Sequence, residues 1–287
     1  MIKAALRYVR KAPQVARYVA TDPVEVGLRL RAKFAERREW RRPPCPYDVE
    51  SNWERRLHEI LGITWPCQAA AEFWALRPAV VALLEAKGLK VGIGHFGGWN
   101  DGEPELVRAI WCLTRHLQPT HVIETGVARG VTSRFILEAL ERNGVGHLWS
   151  IDLPPPLDPE LNEQVGAAVE GQCRRRWSYI RGSSRRHLPR LLASLPRLDL
   201  FFHDSIHTEY NMRIELDQAW NALTAGGRLV ADDVDLNWGF RSFVRSIPDH
   251  PSLVCCAEPL QHDASRFAGK GLFGIARKNT ETRDRGD

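Results

Sequence analysis

The sequence has no uninterrupted apolar stretch near the roughly 20 residues that a membrane-spanning helix needs, so an integral membrane contact is not expected. Its six cysteines, Cys45, Cys67, Cys112, Cys173, Cys255 and Cys256, contain no C-x-x-C pair. That spacing argues against both a zinc site and a disulfide framework, and the thiols read as reduced residues of a cytoplasmic protein. Cys255 and Cys256 are adjacent in an expected strand and so face opposite sides of it. The net charge is +5, but no aromatic-interleaved basic stripe accompanies it. The basic clusters (Arg37 to Arg42, Arg174 to Arg176, Arg185 with Arg186) are scattered. They read as solvated faces, and no nucleic-acid partner is expected. There is no internal repeat.

What is present fits one sizeable α/β domain with an appendage: 287 residues, 44% hydrophobic and 26% charged. Met1 to Ala20 carries Lys3, Arg7, Arg10, Lys11 and Arg17, with Ile2, Leu6 and Val9 at helical spacing. Those charges interrupt any secretory h-region. A basic helix lying on a membrane surface is one reading; a helix packed on its own chain or on a partner subunit is the favoured one. Thr21-Asp22-Pro23 reads as the start of a helix over Val24 to Trp40, with further helices at Asn52–Leu61 and Ala69–Ala86. Residues 1–100 therefore form a helical N-terminal region, a candidate for pocket shaping and for a homo-oligomer contact. Gly92 to Gly102 closes this region. It is either a flexible connector or a lid in which His95, Phe96 and Trp99 contact a ligand. Asp101 is expected to cap the helix that follows, Glu103 to Leu117.

From Thr120 strands and helices alternate. Strands are expected at Thr120–Glu124, His147–Asp152, Trp177–Arg181, Leu198–His203 and Gly227–Ala231, and in two final apolar runs, Leu253–Ala257 and Gly271–Ala276. Helices are expected at Val131–Arg142, Pro159–Gly171, Arg186–Leu195, Glu209–Leu223 and Trp238–Ser246. Repeated β-α units predict a doubly wound α/β fold with a mostly parallel sheet, over residues 101–279. Thr280 to Asp287 reads as a disordered tail. Ligands of such sheets sit beyond the carboxyl ends of the strands, which makes acids located there candidates.

The organising stretch is His121 to Ile136, HVIETGVARGVTSRFI. A strand ends at Glu124, glycines follow at Gly126 and Gly130, and Thr132 with Ser133 opens a helix. A dinucleotide loop would need a second glycine at Ala128, and a P-loop would need a lysine that is absent. Glu-x-Gly-x-x-x-Gly resembles motif I of class I S-adenosylmethionine-dependent methyltransferases. Downstream features fall where that fold wants them. Asp152 ends the second strand, where an acid accepts ribose hydroxyls. Gly182-Ser183-Ser184 is similar to the segment that borders adenine in catechol-type O-methyltransferases, which would make Ser184 the contact. Asp204 follows the fourth strand, and Asp232 with Asp233 follows the fifth.

Neighbouring strand ends in this topology bring Asp204, Asp232 and Asp233 together. Three converging carboxylates repel unless protonated or bound to a cation, and oxygen ligands suit Mg²⁺ or Mn²⁺. Asp204-x-x-His207-x-x-Tyr210 resembles the macrolide-sugar and cephalosporin-type enzymes of the family often called methyltransferase-24. The resemblance spans Glu103 to Lys278 and implies a seven-stranded sheet. It also implies S-adenosylmethionine held by Glu124, Gly126, Gly130, Ser133, Asp152, Ser184 and Asp204, and a metal held by Asp204, Asp232 and Asp233. His207 would be the base that deprotonates a small-molecule hydroxyl acceptor, a sugar or other natural product, with a catechol or small phenol the next choice. Two rivals stay open: an NAD-dependent oxidoreductase, and a nucleoside-binding scaffold without turnover.

Overall fold

The computed structural model describes residues 16–39, 41–43, 45–92, 94–97, 103–153, 158–256 and 271–280. Most of the basic segment Met1 to Ala20, all but Thr280 of the expected tail, and Trp99 with Asp101 of the expected lid and cap lie outside them.

Three helices come first: α1 (Pro23–Glu39), α2 (Trp53–Leu61) and α3 (Gln68–Ala86). Then α4 (Pro104–Leu117) leads into β1 (His121–Thr125), α5 (Val131–Asn143), β2 (His147–Asp152), α6 (Pro159–Gln164) and β3 (Trp177–Arg181). After α7 (Ser184–Ser194) come β4 (Leu198–His203), α8 (Glu209–Ala222), β5 (Leu223–Ala231), α9 (Gly239–Ser246), β6 (Ser252–Cys256) and β7 (Leu272–Arg277). Asp22 opens α1 as expected, its carboxylate accepting from the amide of Glu25 at 3.2 Å. No described helix is long and apolar enough to cross a membrane.

The seven strands run in the order β3-β2-β1-β4-β5-β7-β6. The first five are mutually parallel, and β7 is antiparallel to both its neighbours. Period-2 alternation divides the apolar residues between two faces. Val122, Phe202 and Val230 pack under α2, α4 and α5, whereas Ile123, Phe201 and Leu229 pack against α7, α8 and α9. Burying each such side chain contributes about 1.5–3 kcal/mol. Because both faces are covered, β4 is buried at every position, which is why its sequence reads as an almost continuous apolar run. A third apolar layer sets α3 on α4 and α5 through Phe73, Trp111 and Phe135.

Two segments differ from the sequence expectation. The expected helix Pro159–Gly171 stops at Gln164, because the chain turns left-handed at Gly166 (φ 72°). The amides of Gly166 and Ala168 then bond to the carbonyls of Ala128 and Arg129 in the glycine turn. Strand β5 starts at Leu223, four residues early, with a register shift between Leu198 and Leu200 absorbing the extra chain.

Candidate active site

The register aligns Thr125 with Ile151 on one side and with His203 on the other, and His203 with Ala231. The carboxyl ends of β1, β2, β4 and β5 are therefore level, and the residues just beyond them share one cleft.

Gly126 opens the turn after β1. It has φ 87°, and a Cβ there would lie 1.8 Å from the carbonyl oxygen of Asp204. Gly130 packs against Gly166, whose Cα a Cβ would meet at 3.0 Å. The glycines are thus required by neighbouring backbone, beyond any ligand they admit. Ala128, where a dinucleotide loop would carry glycine, is also left-handed at φ 46°. Arg129 clamps the turn to the preceding connector: its guanidinium donates to the carbonyls of Lys90 and His95 and to Gln164. Phe96, buried, lies under that guanidinium at 5.8 Å. His95 and Phe96 of the expected lid are thereby fastened to the glycine turn.

Glu124 points away from the cleft into the fold. It is 1% exposed and takes hydroxyl donors from Ser133 and Ser150, both at 2.6 Å. Burial pushes its carboxyl up to about 7 against the pull of those hydroxyls. Ser133 is therefore committed to Glu124. The Thr132 side chain, one residue earlier on the first turn of α5, makes no hydrogen bond with the described residues.

Asp152 faces the turn. Burial raises it to about 6, partly countered by the amides of Val127, Ala128 and Leu153 and by the Arg29 guanidinium. Arg29 belongs to α1, which straps across the carboxyl side of the sheet. Arg29 donates to Leu153 O at 3.2 Å, Arg185 to Leu28 O at 3.1 Å, and Arg186 pairs with Asp22 at 2.6 Å. At the far end of α1, the Glu209 amide donates to Glu39 at 3.0 Å. The sequence placed α1 but offered no signal that it covers this edge, because its partners are more than 120 residues away.

The acids meet as expected. His207 Nε2 stands 3.6 Å from Asp204 Oδ1 and 3.5 Å from Asp233 Oδ2, so it lies between β4 and β5. Asp232 is buried beside them, its Oδ1 accepting from the Asp233 amide at 2.8 Å. Burial first, then mutual repulsion with Asp233, raises both Asp204 and Asp232 well above the carboxylate range. Glu103, the N-cap of α4, adds to that repulsion; it read only as a helix start in the sequence. Burial lowers His207 to about 3, so its imidazole is neutral. A cluster whose ionised form is this costly fits a divalent cation, with Asp204 and Asp233 as the accessible ligands (side chains 34% and 21% exposed). Among the described residues this cluster does not gather three ligand atoms all within 4.8 Å of one another, so a cation would have to draw the carboxylates inward.

Behind the cleft lies a hub that the sequence did not reveal. Glu215, fully buried in the middle of α8, accepts from His203 Nδ1 at 2.7 Å and Thr125 Oγ1 at 2.5 Å. Its other oxygen accepts from Ser184 Oγ, from Ser205 Oγ at 2.7 Å and from Asn211 Nδ2 at 2.8 Å. Although burial opposes ionisation, His203 and these donors hold the carboxyl at about 2. Ser184, expected beside adenine, thus gives its hydroxyl to Glu215. Tyr210 and Ile206 are exposed at 45% and 41%, flanking His207 along the chain, and the Arg185 guanidinium stacks over Tyr210 at 5.3 Å.

Residues 123–234 match the family model described as a methyltransferase domain. Among solved structures, the fold is similar to an O-methyltransferase from Bacillus cereus in complex with SAH, at 15% identity and a TM-score of 0.50, over 80% of this chain and 98% of that one. It is equally similar to the O-methyltransferase TomG from Streptomyces achromogenes, involved in tomaymycin synthesis and in complex with SAM. There the identity is 15% and the TM-score 0.50, over 80% of this chain and 96% of that one. No curated relative matches the sequence. The strand order and the glycine turn after β1 give the chain a class I methyltransferase fold, within which residues 123–234 match the methyltransferase domain model.

Proposed function

We propose that this methyltransferase domain transfers a methyl group from S-adenosylmethionine to a hydroxyl of a small molecule, a sugar or other natural product, with a divalent cation at the acid cluster. The observation that carries the reading is His207 Nε2, poised between Asp204 and Asp233 where β4 and β5 end level with the glycine turn. Two proteins of the same fold are O-methyltransferases in complex with SAH or SAM, which favours the same cofactor here. The NAD reading has no use for this acid and histidine set.

In this reading Asp152 accepts the ribose hydroxyls, and the backbone of residues 126–130 lines the methionine end with Thr132 beside it. Glu124, Ser133 and Ser184 act from behind that wall, by holding β1, β2, α5 and α7 in place. Asp204 and Asp233 would hold Mg²⁺ or Mn²⁺, with Asp232 supporting them. When bound, the donor supplies an electrophilic methyl on a sulfonium and the cation lowers the pKa of the acceptor hydroxyl. His207 Nε2 accepts the hydroxyl proton, and the conjugate imidazolium gains stability from whichever neighbouring aspartate is ionised. The acceptor oxygen forms its bond to carbon as the sulfur–carbon bond breaks, leaving a methyl ether and a neutral thioether. Ile206 and Tyr210 supply an exposed apolar surface next to His207 on which an acceptor can lie.

The deciding experiment is transfer of labelled methyl from S-adenosylmethionine to a panel of glycosides and phenols, with and without chelator. Activity lost in chelator and restored by Mg²⁺ is expected. His207→Ala should lower turnover by roughly 10²-fold or more with little change in cofactor binding. Full turnover in chelator would remove the cation, collapse of cofactor affinity in His207→Ala would make that residue structural, and tighter binding of NAD would overturn the reading.

A further inference from the structure

A second set of ligating side chains lies among α2, α3 and α4. His58, in the last turn of α2, is fully buried. Its Nδ1 stands 2.6 Å from the carbonyl of Glu54. A carbonyl can only accept, so Nδ1 carries the proton and Nε2 presents its lone pair. That Nε2 faces Cys67 Sγ at 2.9 Å. Cys67 caps α3, its sulfur accepting from the Ala70 amide at 3.4 Å. Cys112 is fully buried on α4, and the ligand atoms of His58, Cys67 and Cys112 all lie within 4.8 Å of one another. One turn beyond Cys112, His116 brings its Nε2 to 3.5 Å from the Cys67 sulfur. Its ring sits edge-on to His58, centroids 5.6 Å apart.

We propose that His58, Cys67, Cys112 and His116 form a structural zinc site that pins α2 and the start of α3 to α4. Two thiolates and two imidazoles are a tetrahedral zinc set, too soft for Mg²⁺ or Ca²⁺. Zinc–sulfur bonds of about 2.3 Å and zinc–nitrogen bonds of about 2.0–2.1 Å put neighbouring ligand atoms about 3.3–3.8 Å apart. The observed 2.9 and 3.5 Å separations from Cys67 lie close to that range; His58, Cys67 and Cys112 are already gathered within 4.8 Å, and His116, outside that group, would have to swing inward to complete it. The Glu54 carbonyl on His58 Nδ1 is the outer contact that orients a ligating imidazole, and Glu54 is itself fixed by Arg108 at 3.0 Å. Four protein ligands leave no open position, which makes the site structural rather than catalytic. His116 lies five residues before β1, at the amino end of the sheet, whereas the acid cluster lies at the carboxyl end. The spacing hid this set: no C-x-x-C exists, and the only local trace is the i, i+4 pair Cys112 and His116 on one helix face.

The test is metal analysis of the full chain produced with zinc and passed through gel filtration in a weak chelator. One zinc per chain is expected, lost in Cys112→Ser and in His116→Ala and retained in Cys45→Ser and Asp233→Asn. Cobalt exchanged into the wild type should show intense tetrahedral bands with thiolate charge transfer, and this readout stands even if a variant fails to fold. Three results overturn the proposal: no zinc with all six thiols titratable, two thiols that titrate only after reduction, or a zinc that Asp233→Asn removes.

Discussion

Glu215→Gln is the most informative single change, because it alters one charge and no shape. The carboxylate takes five donors on two oxygens, from His203, Thr125, Ser184, Ser205 and Asn211. A carboxyl held at about 2 rather than the ordinary 4.5 makes the folded state more stable by about 3 kcal/mol above pH 4.5. The sign follows from proton uptake. Between those values the unfolded chain binds the proton more readily, so the contribution is full above 4.5 and is lost as pH falls through about 2. Glutamine lacks the charge and turns one of its two ends into a donor facing donors, so two or three hydrogen bonds are lost as well. The expected cost at neutral pH is about 3–5 kcal/mol, equivalent to a fall in melting temperature of roughly 6–20 °C. Urea unfolding at neutral pH and near pH 3 measures both the cost and its pH dependence: the gap between wild type and variant should narrow in acid. Cofactor binding should weaken with stability, since the hub fixes the ends of β1 and β4. A variant that melts with the wild type at neutral pH would refute the reasoning.

Glu124→Gln should act with the opposite sign. The wild-type carboxyl is raised to about 7, so the unfolded chain releases its proton first and stability falls as pH rises from 4.5 towards 7, by about 3 kcal/mol. Glutamine keeps an oxygen for Ser133 and Ser150 without the charge, so the variant should gain on the wild type between about pH 5 and pH 8 in urea unfolding; an unchanged difference would count against the burial argument. Gly126→Ala should cost roughly 3 kcal/mol or more, because its Cβ would sit 1.8 Å from Asp204 O; a soluble variant with wild-type melting would mean the turn and β4 are not in contact. Asp233→Asn should raise the stability of metal-free protein by roughly 1 kcal/mol through relief of repulsion with Asp204 and Asp232 while lowering methyl transfer. Destabilisation in chelator would contradict the repulsion.

The parts of this molecule visible in its sequence are those set by short-range pattern. Period-2 runs and glycine turns located the strands within a few residues. Because adjacent parallel strands end level, Asp204, His207, Asp232 and Asp233 could be brought together without coordinates. What stayed hidden depends on which way a side chain turns once its element is placed. Ser133 and Ser184 sit where a ligand contact was expected, and each hydroxyl donates to a buried acid, a partner the sequence did not indicate. Glu215 looks like any acid in a polar helix, since its five donors come from segments up to 90 residues away. Arg29 and Glu103 reach the cleft from the helical region and its boundary, which carry no motif of their own.

The adjacent pair Asp232 and Asp233 joins these two kinds of information. In an extended strand neighbouring side chains face opposite sides: Val230 packs under α4 and α5, Ala231 against α7 to α9. A straight continuation would therefore send one of the two aspartates away from Asp204. The backbone at Asp233 is left-handed instead, at φ 51°, and both carboxylates repel Asp204 or one another. Asp and Asn are the side-chain-bearing residues that enter this conformation most readily. A helix-capping role does not account for the pair, since the next helix begins only at Gly239. Conformational preference and charge thus select the same residue at position 233, and a turn that costs energy persists where it gathers carboxylates around His207.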